Sequence, residues 1–500
     1  MAWSLPEQIW KPKANAFHSR FEPQRRRDSL DEGESQHVRE LCTVILAAGQ
    51  GTRMCSKLPK VLHQVAGLPM IAYVVEACRA LRAKRTLVIV GYQAERVREA
   101  LGGEAIEFIP QQEQRGTGHA LLQTEEALSG FDGDLLVLSG DTPLLTAKTL
   151  DELVRAHRHS KAKATVLTSE VREPAGYGRV VRGKTGELLR IVEEPEATPQ
   201  ERQLREINTS VYCFAAAPLF AALHAIRPSS VKGELYLPDV VALLRQQRGR
   251  VQAHRAPDPS EVLGVNTRAD LAEVHRLLWR KTAERLLSEG VTLLDPGRTY
   301  IGPLVRISPD SILYPGVTLE GRTVVGEGTT IHAGCRIRDS KVGDGTVILD
   351  GCIIQESDIG DGCQVGPYAH LRPQATLKRK AKVGNFVEVK KSVIGEGSKV
   401  PHLTYIGDTS MGERVNIGAG TITCNYDGVA KHRTVIEDDV FVGSNANLVA
   451  PVSVGRGAII AAGSTITEDV PADALAFGRA QQVTKAGRAA QVRAIRQKKR

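Results

Sequence analysis

The sequence predicts an α/β domain followed by a parallel β-helix, and three observations carry that expectation. An aliphatic residue returns at every sixth position across residues 301–466, as in the run Ile301, Ile307, Leu313, Leu319, Val325, Ile331, Ile337. In the first half, the continuous apolar runs Leu87-Val88-Ile89-Val90 and Leu135-Leu136-Val137-Leu138 are interleaved with helical spacings over 70–81 and 94–101. The apolar stretch Thr43-Val44-Ile45-Leu46 leads directly to a turn with two glycines, Gly49-Gln50-Gly51.

A period of six is neither helical nor the alternation of a simple strand. Very short strands produce it when each side of a coil takes six residues and sends one side chain inward. Glycine often follows the inward residue, as in Val325-Gly326, Val383-Gly384 and Ile406-Gly407, which suits a tight corner. Between runs the step drops to five, as at Val342, Ile394 and Met411, and then resumes. Stacked coils of this kind bury one aliphatic column and give every strand a neighbour, the logic of a solenoid. Between Thr423 and Ile436 the period breaks, which predicts a loop projecting outward, where function usually resides.

Apolar runs without alternation suit parallel strands covered on both faces, hence an α/β domain before the β-helix. Leu271, Val274, Leu277, Leu278, Leu286 and Leu287 have helical spacing and predict a bridging helix. The expected organisation is a disordered extension over 1–39, an α/β domain over 40–268, a linker helix over 269–290, a β-helix over 291–479 and a basic tail without pattern over 480–500.

Composition narrows the function classes. With 42% hydrophobic and 25% charged residues the 500-residue chain reads as soluble, and no apolar run is long enough to span a membrane. The start of the chain lacks the apolar core of a secretion signal. The eight cysteines are scattered without a CxxC pair, which suits reduced thiols in the cytoplasm and neither a disulfide frame nor a zinc site. The net charge of +9 gathers at Arg25-Arg26-Arg27 and over 493–500. A phosphate-handling enzyme or a solvated tail explains it. Nucleic-acid binding is disfavoured because aromatics, at 4%, do not interleave with the basic residues.

The glycine turn lets backbone N–H groups approach phosphate, and Arg53 adds a fork for its oxygens. No Gly-Lys-Ser/Thr follows, and Met54 stands where a dinucleotide fingerprint has its third glycine. Lys60 supplies further charge in Leu58-Pro59-Lys60-Val61-Leu62. Asp141, in Ser139-Gly140-Asp141-Thr142-Pro143, ends a buried strand, where open α/β sheets place their ligands. Together with Gln111 and Arg115-Gly116-Thr117-Gly118-His119, these motifs resemble the sugar-1-phosphate nucleotidyltransferases. Nucleotidyl transfer needs cations on a triphosphate and a bridging metal, and little covalent chemistry from the protein.

The β-helix carries polar groups that its stability does not require: Gly384-Asn385-Phe386-Val387-Glu388-Val389-Lys390, His402-Leu403-Thr404-Tyr405, and the stretch from Asn416 to Gly428. With these, residues 42–479 resemble the bacterial bifunctional N-acetylglucosamine-1-phosphate uridylyltransferase/glucosamine-1-phosphate N-acetyltransferase family. The resemblance implies a Rossmann-like nucleotidyltransferase domain with a mostly parallel sheet. It implies a left-handed β-helix of hexapeptide repeats, against the usual crossover hand, and a homotrimer with acetyltransferase sites between subunits. UTP and acetyl-CoA would be co-substrates.

Carried over by position, the nucleotide site would comprise Leu46, Ala47, Ala48, Gly49, Arg53, Lys60, Gln111, Gly116, Thr117, Ser139, Gly140 and Asp141. Gln111, Gly116 and Thr117 would read uracil; Gly178, Glu193 and Asn208 would contact the sugar phosphate; Asp141 and Asn266 would hold Mg²⁺. In the second half, Arg372, Lys390, Tyr405, Asn416 and Lys431 resemble glucosamine-1-phosphate contacts. Ala419, Asn425, Tyr426, Ser444, Ala462 and Arg479 match acetyl-CoA positions, although Ser444 and Ala462 read equally well as small residues in a tight coil. An ammonium must lose a proton before it attacks a thioester, and a histidine is the usual base. His402 is expected to be that base, with Glu388 orienting its ring.

Gln50 departs from the family, where lysine is common, and residues 1–39 have no counterpart in it. Two other readings stay open. One is a single-function nucleotidyltransferase with a regulatory β-helix, which needs no His402, Lys390 or Asn416. The other is a non-catalytic assembly subunit, which predicts loss of Arg53, Lys60 or Asp141, all of which are present.

Overall fold

The computed structural model describes residues 39–102, 105–229, 231 and 233–497. The expected extension, apart from Arg39, and the last three residues of the tail lie outside the described residues. The chain divides into two compact units after Leu278, within the long helix Arg268–Ser288.

In the first unit the strands are β1 (Leu41–Ala47), β2 (Arg85–Val90), β3 (Ile106–Pro110), β4 (Asp134–Ser139), β5 (Ala164–Glu170), β6 (Arg179–Arg182), β7 (Leu188–Val192), β8 (Glu206–Ala215) and β9 (Val251–Arg255). They form one sheet in the order β9-β5-β8-β4-β1-β2-β3, with β6 attached to β8 and β7 to β6. The β4-β1-β2-β3 portion is parallel, as is the β9-β5 pair, whereas β8 runs antiparallel to both its neighbours. The chain leaves β1 for β2 and β3 on one side and then returns to β4 on the other. That reversal is a topological switch point, outside whose carboxyl ends ligands bind.

Side chains alternate across the sheet and both faces are buried. Ile45, Val88, Val90, Leu136 and Leu138 pack on Ile71, Val74 and Cys78 of the helix Met70–Ala80 and on Leu150 and Leu153 of Ala147–Ser160. Val44, Leu87, Ile89, Leu135 and Val137 face the helices Ala216–His224 and Asp239–Gln246. The uninterrupted apolar runs follow from this double cover.

The second unit is a stack of strands two to four residues long, arranged as three parallel sheets. Ile301 pairs with Leu319, Leu319 with Ile337, Ile337 with Ile354 and Ile354 with Leu371. A full coil therefore takes 18 residues, or 17 where the sequence step drops to five. All of these aliphatics belong to a single continuous core. That core begins earlier than the hexad reading, since Leu293 on the strand Thr292–Leu293 pairs with Leu313. One coil is longer: Met411 pairs with Ile436, and the surplus bulges outward with Tyr426 facing Lys431 across its neck.

The tail departs from the expected patternless segment, for Arg488–Gln497 is helical with no buried residue. Alanine, arginine and glutamine are strong helix formers, and without an apolar face they leave no periodic signature. No helix among the described residues is long and apolar enough to cross a membrane.

Candidate functional sites

At the switch point, β1 delivers Leu46, Ala47 and Ala48 into the glycine turn. Gly51 adopts φ +71°, and a Cβ there would lie 2.5 Å from Lys60 Cβ. The turn can approach Lys60 only because residue 51 has no side chain. Gly140, just past β4, donates its N–H to the Leu46 carbonyl at 3.0 Å, which closes the two strand ends together.

Five polar side chains converge here. Lys60 Nζ donates to Asn266 Oδ1 at 2.7 Å, and Arg53 Nη2 donates to the same oxygen at 2.9 Å. Lys60 is also ion-paired with Asp141, each side chain 15% exposed. Ser139 Oγ donates to the other Asp141 oxygen at 2.6 Å. Asn266 is held in turn by Asp270, whose carboxylate accepts from the N–H groups of Asn266 and Thr267 at 2.9 and 2.8 Å. Asp270 was missed in the sequence, although Thr267-x-x-Asp270 has the spacing of a capping box.

Arg53, Ser139, Asp141 and Asn266 line a cavity of about 160 Å³ together with Gly178, Glu193 and Asn208. A Cβ on Gly178 would sit 3.1 Å from Glu193 Oε1 and 3.5 Å from Asn208 Cβ, so these three residues adjoin. Asn208 is fixed by donating Nδ2–H to Tyr212 at 2.7 Å. Tyr177 also lines the cavity, a residue the motif reading did not assign, and burial pushes its phenol up.

The proposed uracil readers stand apart from that cavity lining, at the end of β3 and the start of the helix Thr117–Leu122. Gln111 is buried and its Nε2 lies 3.0 Å from His119 Nδ1. Thr117 Oγ1 accepts from Leu237 N at 3.0 Å. Gly49 is open to added atoms.

Asp141 and Asn266 offer one carboxylate and one amide oxygen, hard donors that fit a divalent cation taking its other ligands from phosphate and water. No cluster of three or more His, Cys, Asp or Glu able to hold a metal occurs among the described residues, so such an ion would depend on substrate oxygens.

On the β-helix, Lys390 Nζ lies 3.2 Å from Asp408 Oδ2, and Asn425 Nδ2 donates to the same oxygen at 2.5 Å. Asn425 also reaches Tyr405 Oη at 3.4 Å. Three of the expected contacts thus meet around Asp408, which the sequence reading did not single out. The Lys431 amine beside it, and then the Asp408 carboxylate, hold Lys390 above the usual lysine range. Lys431 itself is lowered by the neighbouring Lys390.

Ala419, Ser444 and Ala462 occupy equivalent points on successive coils. The Ala419 carbonyl accepts from Asn445 N, that of Ser444 from Gly463 N, and that of Ala462 from Arg479 Nη1 at 2.9 Å. Tyr426 is exposed on the projecting loop. Asn416 lies apart from the Asp408 group, on a strand paired with Lys399 in the sheet that carries His402.

One expectation is corrected. Glu388 does not hold the His402 ring within this chain. Its carboxylate accepts from Arg372 Nη1 at 2.8 Å, whereas His402 Nδ1 faces Asn385 Oδ1 at 2.5 Å. Glu388 begins a strand of the next sheet, and its register partner there is Tyr405.

Residues 43–225 match the MobA-like NTP transferase domain, residues 297–377 the GMPPB C-terminal domain and residues 433–468 the bacterial transferase hexapeptide of six repeats. The chain is thus a nucleotidyltransferase joined to a hexapeptide-repeat transferase, its second unit a left-handed parallel β-helix. The bifunctional protein GlmU of Geobacter metallireducens is 51% identical over 466 residues, 90% of this chain and 98% of that protein. Those of Heliobacterium modesticaldum and Halalkalibacterium halodurans are 50% and 48% identical, over 88% of this chain and 96% and 97% of theirs. The chain belongs to the bifunctional GlmU family.

Proposed function

We propose that the two units divide between them the two transfers of UDP-N-acetylglucosamine synthesis. Family membership makes the chain an acetyltransferase and uridylyltransferase, working in nucleotide-sugar chemistry with a divalent metal. The product serves cell-wall precursors. Within that frame, the α/β domain over 40–268 carries uridylyl transfer and the β-helix over 291–479 carries acetyl transfer, joined by the linker over 269–290. The observation that supports this best is the convergence of Arg53 and Lys60 on Asn266 at the switch point, with Asp141 ion-paired to Lys60, beside the cavity bordered by Gly178, Glu193 and Asn208.

In the acetyl transfer, Arg372, Lys390 and Lys431 present cationic charge to the sugar phosphate, with Tyr405 and Asn416 completing its contacts. The β-helix column Ala419, Ser444 and Ala462, with Asn425, Tyr426 and Arg479, receives acetyl-CoA. His402 Nε2 takes a proton from the sugar ammonium. The freed amine forms a C–N bond with the thioester carbon and the C–S bond breaks; of the two protons nitrogen loses, one ends on the departing thiolate and the other passes to solvent. In the uridylyl transfer, a phosphate oxygen of N-acetylglucosamine-1-phosphate attacks the α-phosphorus of UTP and pyrophosphate leaves. Gly49 and Gly51 let backbone N–H groups reach the triphosphate, and Arg53 and Lys60 neutralise the charge that gathers on the leaving group. Gln111, Gly116 and Thr117 read the base. Mg²⁺, when bound by Asp141 and Asn266, supplies charge neutralisation at the α-phosphate.

Hexapeptide-repeat domains are associated with oligomers, and a homotrimer is the expected assembly. The cytoplasm is the expected compartment. The test is a coupled assay with glucosamine-1-phosphate, acetyl-CoA, UTP and Mg²⁺ that follows free thiol and pyrophosphate. His402→Ala should lose thiol release alone. Asp141→Ala should lose pyrophosphate release from supplied N-acetylglucosamine-1-phosphate alone. Wild type that makes pyrophosphate but no thiol would leave the β-helix as a regulatory scaffold.

A further inference from the structure

We propose that Asn385 is the positioning residue for His402, fixing the ring so that its proton sits on Nδ1 and its lone pair on Nε2. The inference rests on the reading of His402 as the base. Asn385 and His402 are register partners at the ends of the adjacent strands Lys382–Asn385 and Lys399–His402. Their closeness depends on Gly384, because a Cβ there would run into the Pro401 carbonyl. With no side chain in the way, the two coils close up and the next residues stand side by side.

The tautomer follows from the side of the amide that faces the ring. His402 Nδ1 lies 2.5 Å from Asn385 Oδ1, and an amide oxygen has no hydrogen to give. Nδ1 must therefore donate, which leaves Nε2 as the ring position able to accept a proton. The backbone around the pair is also held: Leu403 N donates to the Asn385 carbonyl at 3.0 Å, and Thr404 Oγ1 donates to the His402 carbonyl at 2.6 Å. Charged groups on the packed strands are Lys382 and Lys399; Asn416–Ile417 brings none, and Glu388 beyond the corner is paired with Arg372. A neutral amide orients the ring without the boost in basicity that a carboxylate would give. That suits a base that must release its proton again within the cycle.

The test uses the full chain, with thiol release and pyrophosphate release measured on each variant. Asn385→Ala should lower kcat for thiol release by about tenfold to a hundredfold, with KM for both substrates nearly constant and pyrophosphate release intact. Asn385→Asp should retain turnover and raise the acidic limb of the kcat–pH profile by about one unit or more. If His402→Ala keeps thiol release, the reading of His402 as base falls. If His402→Ala abolishes it while Asn385→Asp leaves the acidic limb in place, the positioning role alone falls. A rise in KM at unchanged kcat for Asn385→Ala would make Asn385 a substrate contact and overturn the proposal.

Discussion

Lys390 and Asn425 share one oxygen of Asp408, at 3.2 and 2.5 Å, so a single carboxylate ties a cation of one coil to the projecting loop of another. Lys390 is a proposed sugar-phosphate contact and Asn425 a proposed acetyl-CoA contact. Asp408→Ala removes the tie. It should cut kcat/KM for thiol release by about tenfold or more, equivalent to ~1.4 kcal/mol, with pyrophosphate release unchanged. Steady-state kinetics in both channels check it.

Asn266 gives Arg53 and Lys60 a common acceptor. Asn266→Ala leaves two cations without it and takes away a proposed metal ligand. Pyrophosphate release should fall by about a hundredfold, the usual scale for losing one preorganised polar group. Thiol release should hold. An equal loss in both channels would point instead to a folding defect.

His157 is buried against Thr165, and desolvation lowers it from an ordinary value near 6.5 to about 4, against the pull of Asp134. The sign follows from which state binds the proton. Below pH 6.5 the unfolded chain protonates this histidine while the fold keeps it neutral, so acid favours unfolding until the folded value is reached. The loss, up to about 3 kcal/mol, should accrue between pH 6.5 and 4. Urea unfolding followed by uridylyltransferase activity should lose stability across that window in wild type, and less steeply in His157→Gln.

Gly384→Ala would drive a methyl group into the Pro401 carbonyl. Coil spacing must open locally, at a cost of about 2 kcal/mol, and Asn385 should separate from His402. Thermal unfolding of the β-helix should start earlier, and thiol release should fall while pyrophosphate release persists.

How much of this was legible in the sequence depended on whether a residue's role repeats. Ile337 was readable because Leu319 and Ile354 fill the same inward position on the neighbouring coils. The two switch-point motifs were readable because each directly follows an apolar strand. The tie at Asp408 and the Asn385–His402 contact were not, since they depend on which residues fall opposite each other after 17 or 18 steps. Glu388 was expected on the ring, yet a corner intervenes and Arg372 claims it. The antiparallel β8 between β4 and β5 was likewise hidden, because a strand buried on both faces reads the same in either direction.

The β-helix also has a mechanical consequence. Among the described residues the strands of each coil pair only with those of the coil above and the coil below, so no strand pairing braces the stack crosswise. Under tension applied from the carboxyl end, the unit should unravel as a ladder losing its last rung, coil after coil. Each released coil of 17 or 18 residues would add about 60 Å of extended chain, giving an evenly spaced sawtooth under an optical trap. The single long coil carrying the Asn425 loop would interrupt that rhythm with one larger step.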